Sequence, residues 1–158
     1  AAKVKKVSTL PILTVGRLQY PDVAEKVLAD GKADFIVIGR GLLADPEWVN
    51  KVQSGRTSEI RPCIGCHEGC LWQMIGGEPT SCSLNPPCGH ETEWQLVPLK
   101  EKRSLLVVGG GPGGIEAARV GAERGFAVTL WEASDRLGGN LWLAAKPDFK
   151  HEIADYIT

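Results

Sequence analysis

The chain reads as an α/β protein in three consecutive blocks: the C-terminal part of a (β/α)8 barrel, a cysteine loop, and the first half of a Rossmann-like dinucleotide-binding domain. Three observations predict this. Two short β-branched runs, Pro11 to Val15 and Phe35 to Ile38, each finish in Gly-Arg, with a helical pattern between them. Four of the five cysteines fall within the twenty residues from Cys63 to Cys82, spaced C-x2-C-x3-C-x11-C. Finally, the apolar run Leu105 to Val108 enters a glycine-rich turn that opens another helix.

Composition narrows the partners. With 158 residues, 43% of them hydrophobic, and a net charge of −1, the chain suits a globular protein of one or two domains. Eighteen basic and nineteen acidic residues without a long run of either sign leave no nucleic-acid or membrane footprint. No apolar stretch approaches the ~20 residues that span a bilayer. The opening Ala1-Ala2-Lys3-Val4-Lys5-Lys6 is basic and short and carries no apolar signal segment, so reduced cysteines and a cytoplasmic location are expected.

In the first block, residues 1–58, Ala1 to Ser8 reads as the tail of a preceding helix and Pro11 opens a buried parallel strand. Pro21-Asp22 starts a helix with Val23, Ala24, Val27 and Leu28 on its apolar face, and Asp30-Gly31 stops it. The second strand follows, and a further helix is predicted from Asp45-Pro46-Glu47, with Asp45 as N-cap and Pro46 at the first helical position. Strands ending in Gly16-Arg17 and Gly39-Arg40 are what the phosphate corner of a (β/α)8 barrel requires: glycine lets backbone N–H groups approach phosphate oxygens, and arginine brings a fork of donors to them or to a flavin ring. Such a barrel takes about 250 residues, so two strands predict a piece of one.

The second block, residues 59–103, begins after Arg61-Pro62. Clustered thiols at Cys63, Cys66, Cys70 and Cys82 fit a disulfide pair, a structural zinc or an iron–sulfur cluster. Disulfides rank last, because no oxidising compartment is indicated and one cysteine would be left over. Zinc sites usually show two similar knuckles, whereas one C-x2-C followed by a lone Cys and a distant fourth is met more often around a four-iron cubane. Leu71 to Ile75 is predicted to form helical turns ended by Gly76-Gly77, His67 to be a polar loop residue and Cys88 a thiol that ligates nothing. From His90 to Arg103 the polar, mixed text reads as a linker.

The third block, residues 104–158, carries Gly109, Gly111 and Gly114 as GxGxxG between a strand and a helix, and the next strand, Ala127 to Trp131, ends in Glu132. The glycines provide a tight turn, a backbone approach to pyrophosphate and close helix–strand packing. Glu132, eighteen residues after Gly114, is placed to accept ribose hydroxyls and disfavours a 2′-phosphate, which suits FAD or NAD better than NADP. The later pair Gly138-Gly139 favours FAD, and Lys146 to Thr158 reads as the start of another helix.

Taken in order, the blocks resemble the junction of the iron–sulfur flavoenzymes related to old yellow enzyme, among them 2,4-dienoyl-CoA reductase, enoate reductases and trimethylamine and histamine dehydrogenases. The resemblance rests on Val15-Gly16-Arg17, Ile38-Gly39-Arg40 with Leu43-Ala44-Asp45-Pro46, Cys63-Ile64-Gly65-Cys66 and the two later cysteines, Asn85-Pro86, Val108 to Gly114, and Leu137-Gly138-Gly139. It implies a relay from NAD(P)H to FAD, through a [4Fe–4S] cluster, to FMN and on to an activated alkene. By matching motifs it assigns Gly16, Arg17, Gly39 and Arg40 to FMN. Cys63, Cys66, Cys70 and Cys82 go to iron, and Gly109, Gly111, Gly113, Gly114, Glu132, Gly139 and Asn140 to FAD. Asn140 stands where the family usually has glutamine.

The cysteine spacing is similar to the dienoyl-CoA and enoate reductase branch, so the expected partner is a small enoyl or dienoyl substrate, and a homo-oligomer is compatible. An amine dehydrogenase of the same family, or a zinc-stabilised dinucleotide-binding module without catalysis, are the alternatives. The proton donor of such relatives lies on earlier barrel strands, so no catalytic residue is assigned; neither Tyr20 nor His90 is promoted to that role. Two barrel strands without partners are expected to expose apolar faces and to be inactive alone.

Overall fold

β-Branching and a proline-opened helix set the first strand pair. In the computed structural model, which describes residues 1–157, β1 (Leu13–Val15) runs parallel to β2 (Phe35–Val37), with Val15 opposite Val37. Helix α1 (Ala2–Lys5) precedes them, and α2 (Pro21–Ala29) crosses over, Pro21 lying in its first turn where a missing N–H costs nothing. Asp34 ties the entry of both strands together: one carboxylate oxygen accepts the Lys5 ammonium and the other accepts Ile12 N–H at 2.8 Å.

One helix differs from expectation. A short α3 (Arg40–Ala44) starts straight after Gly39, and the helix predicted from Asp45 begins only at Trp48, as α4 (Trp48–Gln53). Asp45 does accept a nearby N–H, that of Glu47 at 3.1 Å, but its other oxygen receives Lys51 Nζ at 2.6 Å and Arg61 N–H at 2.9 Å. The cap-like sequence thus serves an ion pair at the bend between two helices, with Asp45 fully buried and Lys51 partly exposed. Burial pushes the Asp45 carboxyl up, yet the Lys51 ammonium and the Arg61 N–H together outweigh it and hold the group below the usual carboxylate range.

A 3-10 turn (Thr57–Glu59) then leads into the cysteine loop, whose π-helical turn (Glu68–Trp72) passes into α5 (Gln73–Ile75) and stops at Gly76-Gly77 as predicted.

The chain divides into two compact units, the first ending at His90 and the second beginning at Glu91. In the second, β3 (Ser104–Val108) runs parallel to β4 (Ala127–Trp131) through the crossover helix α6 (Pro112–Glu123). The stretch read as a linker is partly tied down, since Leu99 N–H donates to Arg124 C=O at 2.8 Å and Arg124 Nε to Val97 C=O at 2.9 Å. After β4 come α7 (Leu141–Ala144), a 3-10 turn (Asp148–Lys150) and α8 (His151–Ile157).

Parallel sheets are normally covered on both faces. Here each two-stranded sheet leaves apolar side chains open: Leu13, Val15 and Phe35 in the first, Leu106, Val108 and Trp131 in the second. The expected exposure of apolar strand faces is therefore present. Among the described residues no helix is long and apolar enough to cross a membrane.

Candidate functional site

The cysteine loop is anchored by buried polar side chains before any thiol is considered. Gln19, 7% exposed, accepts Cys63 N–H on Oε1 at 2.9 Å and donates from Nε2 to Cys63 C=O at 3.1 Å. Trp48 Nε1 donates to the Gln19 carbonyl at 2.8 Å and fixes the amide's own backbone. Asp45 holds the Arg61 N–H at the loop entrance, and Asn85, also buried, donates from Nδ2 to Leu43 C=O at 2.9 Å at its exit. Buried amides and carboxylates persist only when fully paired. Three of the buried polar side chains of the first unit are thus spent on the position of this loop.

Within the loop the backbone reverses at Gly65 (φ 64°) and His67 (φ 63°). Cys70 sits in the π-helical turn, a form that collects at functional sites. Gly69 is pressed against Ser81, whose N–H donates to its carbonyl at 2.8 Å. A Cβ at Gly69 would lie 2.7 Å from the Ser81 carbonyl oxygen, so only glycine allows Cys82 to come alongside Cys70. The outcome is one cavity lined by Cys63, Cys66, Cys70 and Cys82 together with Arg40 and His67. All five cysteines are unbridged, and Cys88 is buried apart from that lining. Among the described residues no three His, Cys, Asp or Glu side chains close on one point as the ligands of a single ion do.

The two Gly-Arg pairs sit at the same end of the paired strands, Gly16 following Val15 and Gly39 lying two residues beyond Val37. Open space surrounds both glycines: a Cβ would meet nothing within 4 Å at either. Arg17 adopts a left-handed conformation (φ 48°), which a non-glycine residue holds only when its surroundings require it. Arg40 opens α3 and points its Nη1 at the His67 ring, 2.8 Å from Nε2 and 3.1 Å from Nδ1. Guanidinium has no lone pair to offer, so any hydrogen bond in this contact is donated by Arg40 to a ring nitrogen.

In the second unit the glycine turn is built by one close approach. A Cβ at Gly114 would lie 1.8 Å from the Gly109 carbonyl oxygen. At Gly111 and Gly113, by contrast, a Cβ would meet nothing within 4 Å, which leaves the start of α6 open. Gly139 packs on Gly111, its added Cβ being 3.2 Å from the Gly111 Cα, and Asn140 caps α7 without a side-chain bond.

Glu132 stands at the end of β4 and holds the turn. Its Oε2 accepts Gly110 N–H at 2.6 Å, and its Oε1 accepts Ser134 N–H at 2.8 Å and the Ser134 hydroxyl at 2.9 Å. These donors, Ser134 N–H first and Gly110 N–H next, pull its carboxyl from the ordinary 4.5 to about 2. Stability from a carboxyl lowered in this way is complete above pH 4.5 and is lost as pH falls through about 2. Melting temperatures of the full-length protein and its Glu132→Gln variant are therefore expected to differ most above pH 4.5 and to converge on acidification. A gap that stays constant from about pH 7 to about pH 3 contradicts this assignment.

Gln19, Asp45, Asn85 and Ser134 were not singled out from the sequence as site residues. Asp45 and Asn85 do stand in motifs that carry the family resemblance, though with no role attached, and a Ser turn signal marks Ser134; Gln19 carries no such mark.

Comparison with known proteins agrees with both units. Residues 1–59 match the NADH:flavin oxidoreductase / NADH oxidase family, and residues 107–156 match the NAD(P)-binding Rossmann-like domain. The chain is 47% identical to a metal reductase of Desulforamulus reducens over 94% of its length and 23% of the relative's. It is 43% identical to a cinnamate reductase of Clostridium sporogenes, over 94% of its length and 22% of the relative's. The solved structure of a 2-naphthoyl-CoA reductase bound to 2-naphthoyl-CoA superposes with a TM-score of 0.92 at 36% identity, covering 98% of this chain and 24% of that one. The chain thus spans about a quarter of the length of the relatives it matches. It belongs to the old yellow enzyme / 2,4-dienoyl-CoA reductase-like flavoproteins, joining the end of their flavin oxidoreductase barrel to the start of a Rossmann-like domain.

Proposed function

We propose that this chain is the electron-relay junction of an NAD(P)H-dependent flavin oxidoreductase whose FMN reduces an activated C=C bond. The observation that carries the reading is the cavity bordered by all four spaced thiols. A [4Fe–4S] cluster takes one thiolate on each of its four irons, which the four cysteines around this cavity can supply. A bound [4Fe–4S] cluster would carry electrons singly between flavins that take hydride as a pair. The residues of the chain have distinct tasks around it. Cys63, Cys66, Cys70 and Cys82 supply thiolates, and Leu43, Ile64 and Leu84 in the same lining limit access of water.

Gly16, Arg17, Gly39 and Arg40 are assigned to FMN, the open glycines leaving room for phosphate and the arginines neutralising it. Gly109, Gly111, Gly113 and Gly114 are assigned to FAD: Gly109, whose N–H is held by the Trp131 carbonyl at 2.7 Å, and the closely packed Gly114 build the turn, while Gly111 and Gly113 leave the start of α6 open to the pyrophosphate, with Gly139 and Asn140 beside them. Glu132 accepts three hydrogen bonds from Gly110 and Ser134 of the chain itself, so its first task is to shape the turn that would face the ribose.

Gln19 holds the first thiolate in register. Gln19→Met in the full-length enzyme, which keeps the volume and removes both bonds to Cys63, is expected to weaken iron retention about 10- to 100-fold. Competition with a chelator measures this; retention equal to wild type shows that the clamp is dispensable.

The substrate class is drawn from the relatives named for reduction of cinnamate and of an aryl-CoA thioester. Anaerobic assays of the full-length enzyme with NADH or NADPH should show reduction of enoates or enoyl-CoA thioesters. Turnover confined to amines or to metal ions refutes the alkene assignment.

A further inference from the structure

Hydrogen bonds to ligand sulfurs are one of the main levers on the potential of an iron–sulfur cluster. Among the described residues a single hydrogen bond reaches any of the four sulfurs: Ser83 Oγ lies 3.5 Å from Cys66 Sγ. Between a hydroxyl and a free thiol either atom could donate. Once Cys66 binds iron as a thiolate it has no proton, and the Ser83 hydroxyl is then the sole donor. We propose that Ser83 raises the reduction potential of the cluster by donating this bond to the sulfur of Cys66. The proposal rests on the cluster reading given above and adds to it a residue that acts through a ligand.

The geometry around Ser83 supports a fixed donor. Ser83 is the second residue of a turn that runs from Cys82 to Asn85, closed by Asn85 N–H donating to the Cys82 carbonyl at 3.3 Å. Asn85 is buried and tied to Leu43 C=O, so the turn is anchored to the end of α3 rather than hanging free. Ser83 therefore follows one ligand in sequence and reaches across the cavity to another. The bond withdraws electron density from the sulfur, and the reduced cluster, richer by one electron, gains more from it than the oxidised cluster does. No proton is transferred in the process.

The test is a potentiometric titration of the full-length enzyme, with the reduced cluster followed by electron paramagnetic resonance. Ser83→Ala should move the midpoint to a more negative value, and Ser83→Thr, which keeps the hydroxyl, should restore it. A Ser83→Gly variant repeats the measurement should the alanine variant fail to retain iron. An unchanged midpoint in Ser83→Ala, a fall just as large in Ser83→Thr, or loss of the cluster from both the alanine and the glycine variants overturns the proposal. A wild-type enzyme without any cluster signal overturns the cluster reading instead.

Discussion

Gly69→Ala in the full-length enzyme is expected to strip the cluster while leaving the surrounding fold in place. The added methyl would lie 2.3 Å from Ser81 Oγ, 2.7 Å from its carbonyl oxygen and 2.8 Å from its carbonyl carbon. A hydroxyl can rotate away, but the two carbonyl atoms belong to backbone, so the Ser81 strand of the loop must move. That movement breaks the bond from Ser81 N–H to Gly69 C=O and takes Cys82 away from Cys70. Iron per chain should fall by about tenfold or more, as ligand-shell damage commonly produces. Gly76→Ala is the control, because its methyl would come no closer than 3.4 Å to a neighbour. Full iron in the Gly69→Ala protein would show that the approach to Ser81 does not hold the site.

The second large effect separates two glycines of one motif. Gly114→Ala drives a methyl to 1.8 Å from the Gly109 carbonyl oxygen, a contact that helix and strand cannot both satisfy. Forced overpacking of this kind costs about 3 kcal/mol or more. In a domain of this size that lowers Tm by roughly 10 °C or more. Gly111→Ala meets nothing in the chain, so its fold should survive with a small loss at the helix N-cap. Its methyl would instead occupy the space assigned to the FAD pyrophosphate. Calorimetry and flavin content, measured on both variants, should show one unstable protein and one stable protein that holds FAD poorly. Equal flavin retention in Gly111→Ala and wild type would mean that the open backbone there serves no dinucleotide.

Short-range chemistry made most of the architecture legible. Strand runs closed by Gly-Arg, a proline-opened helix stopped at Asp30-Gly31, and GxGxxG between a strand and a helix are local signals, and each marks an element that is present. The boundary at Asp45-Pro46 misled because an Asp before Pro is a helix-start signal, whereas here the carboxylate is spent on Lys51 and Arg61, partners six and sixteen residues away.

Distance in sequence hid the rest of the candidate site as well. Gln19 lies forty-four residues from Cys63 and reads as an ordinary polar residue in a loop; only the fold brings its amide onto that peptide. The pairing of Arg40 with His67, across twenty-seven residues, is of the same kind. It places one of the arginines assigned to FMN in the lining of the cysteine cavity, a juxtaposition that no spacing rule reports.

The account depends above all on what the four thiolates hold, and one measurement addresses that directly: iron, zinc and acid-labile sulfide in the full-length enzyme purified without oxygen. About four irons and a matching amount of sulfide per chain, with broad absorption near 400 nm that bleaches on reduction, is the expected result. A colourless protein carrying one zinc and no sulfide would contradict it.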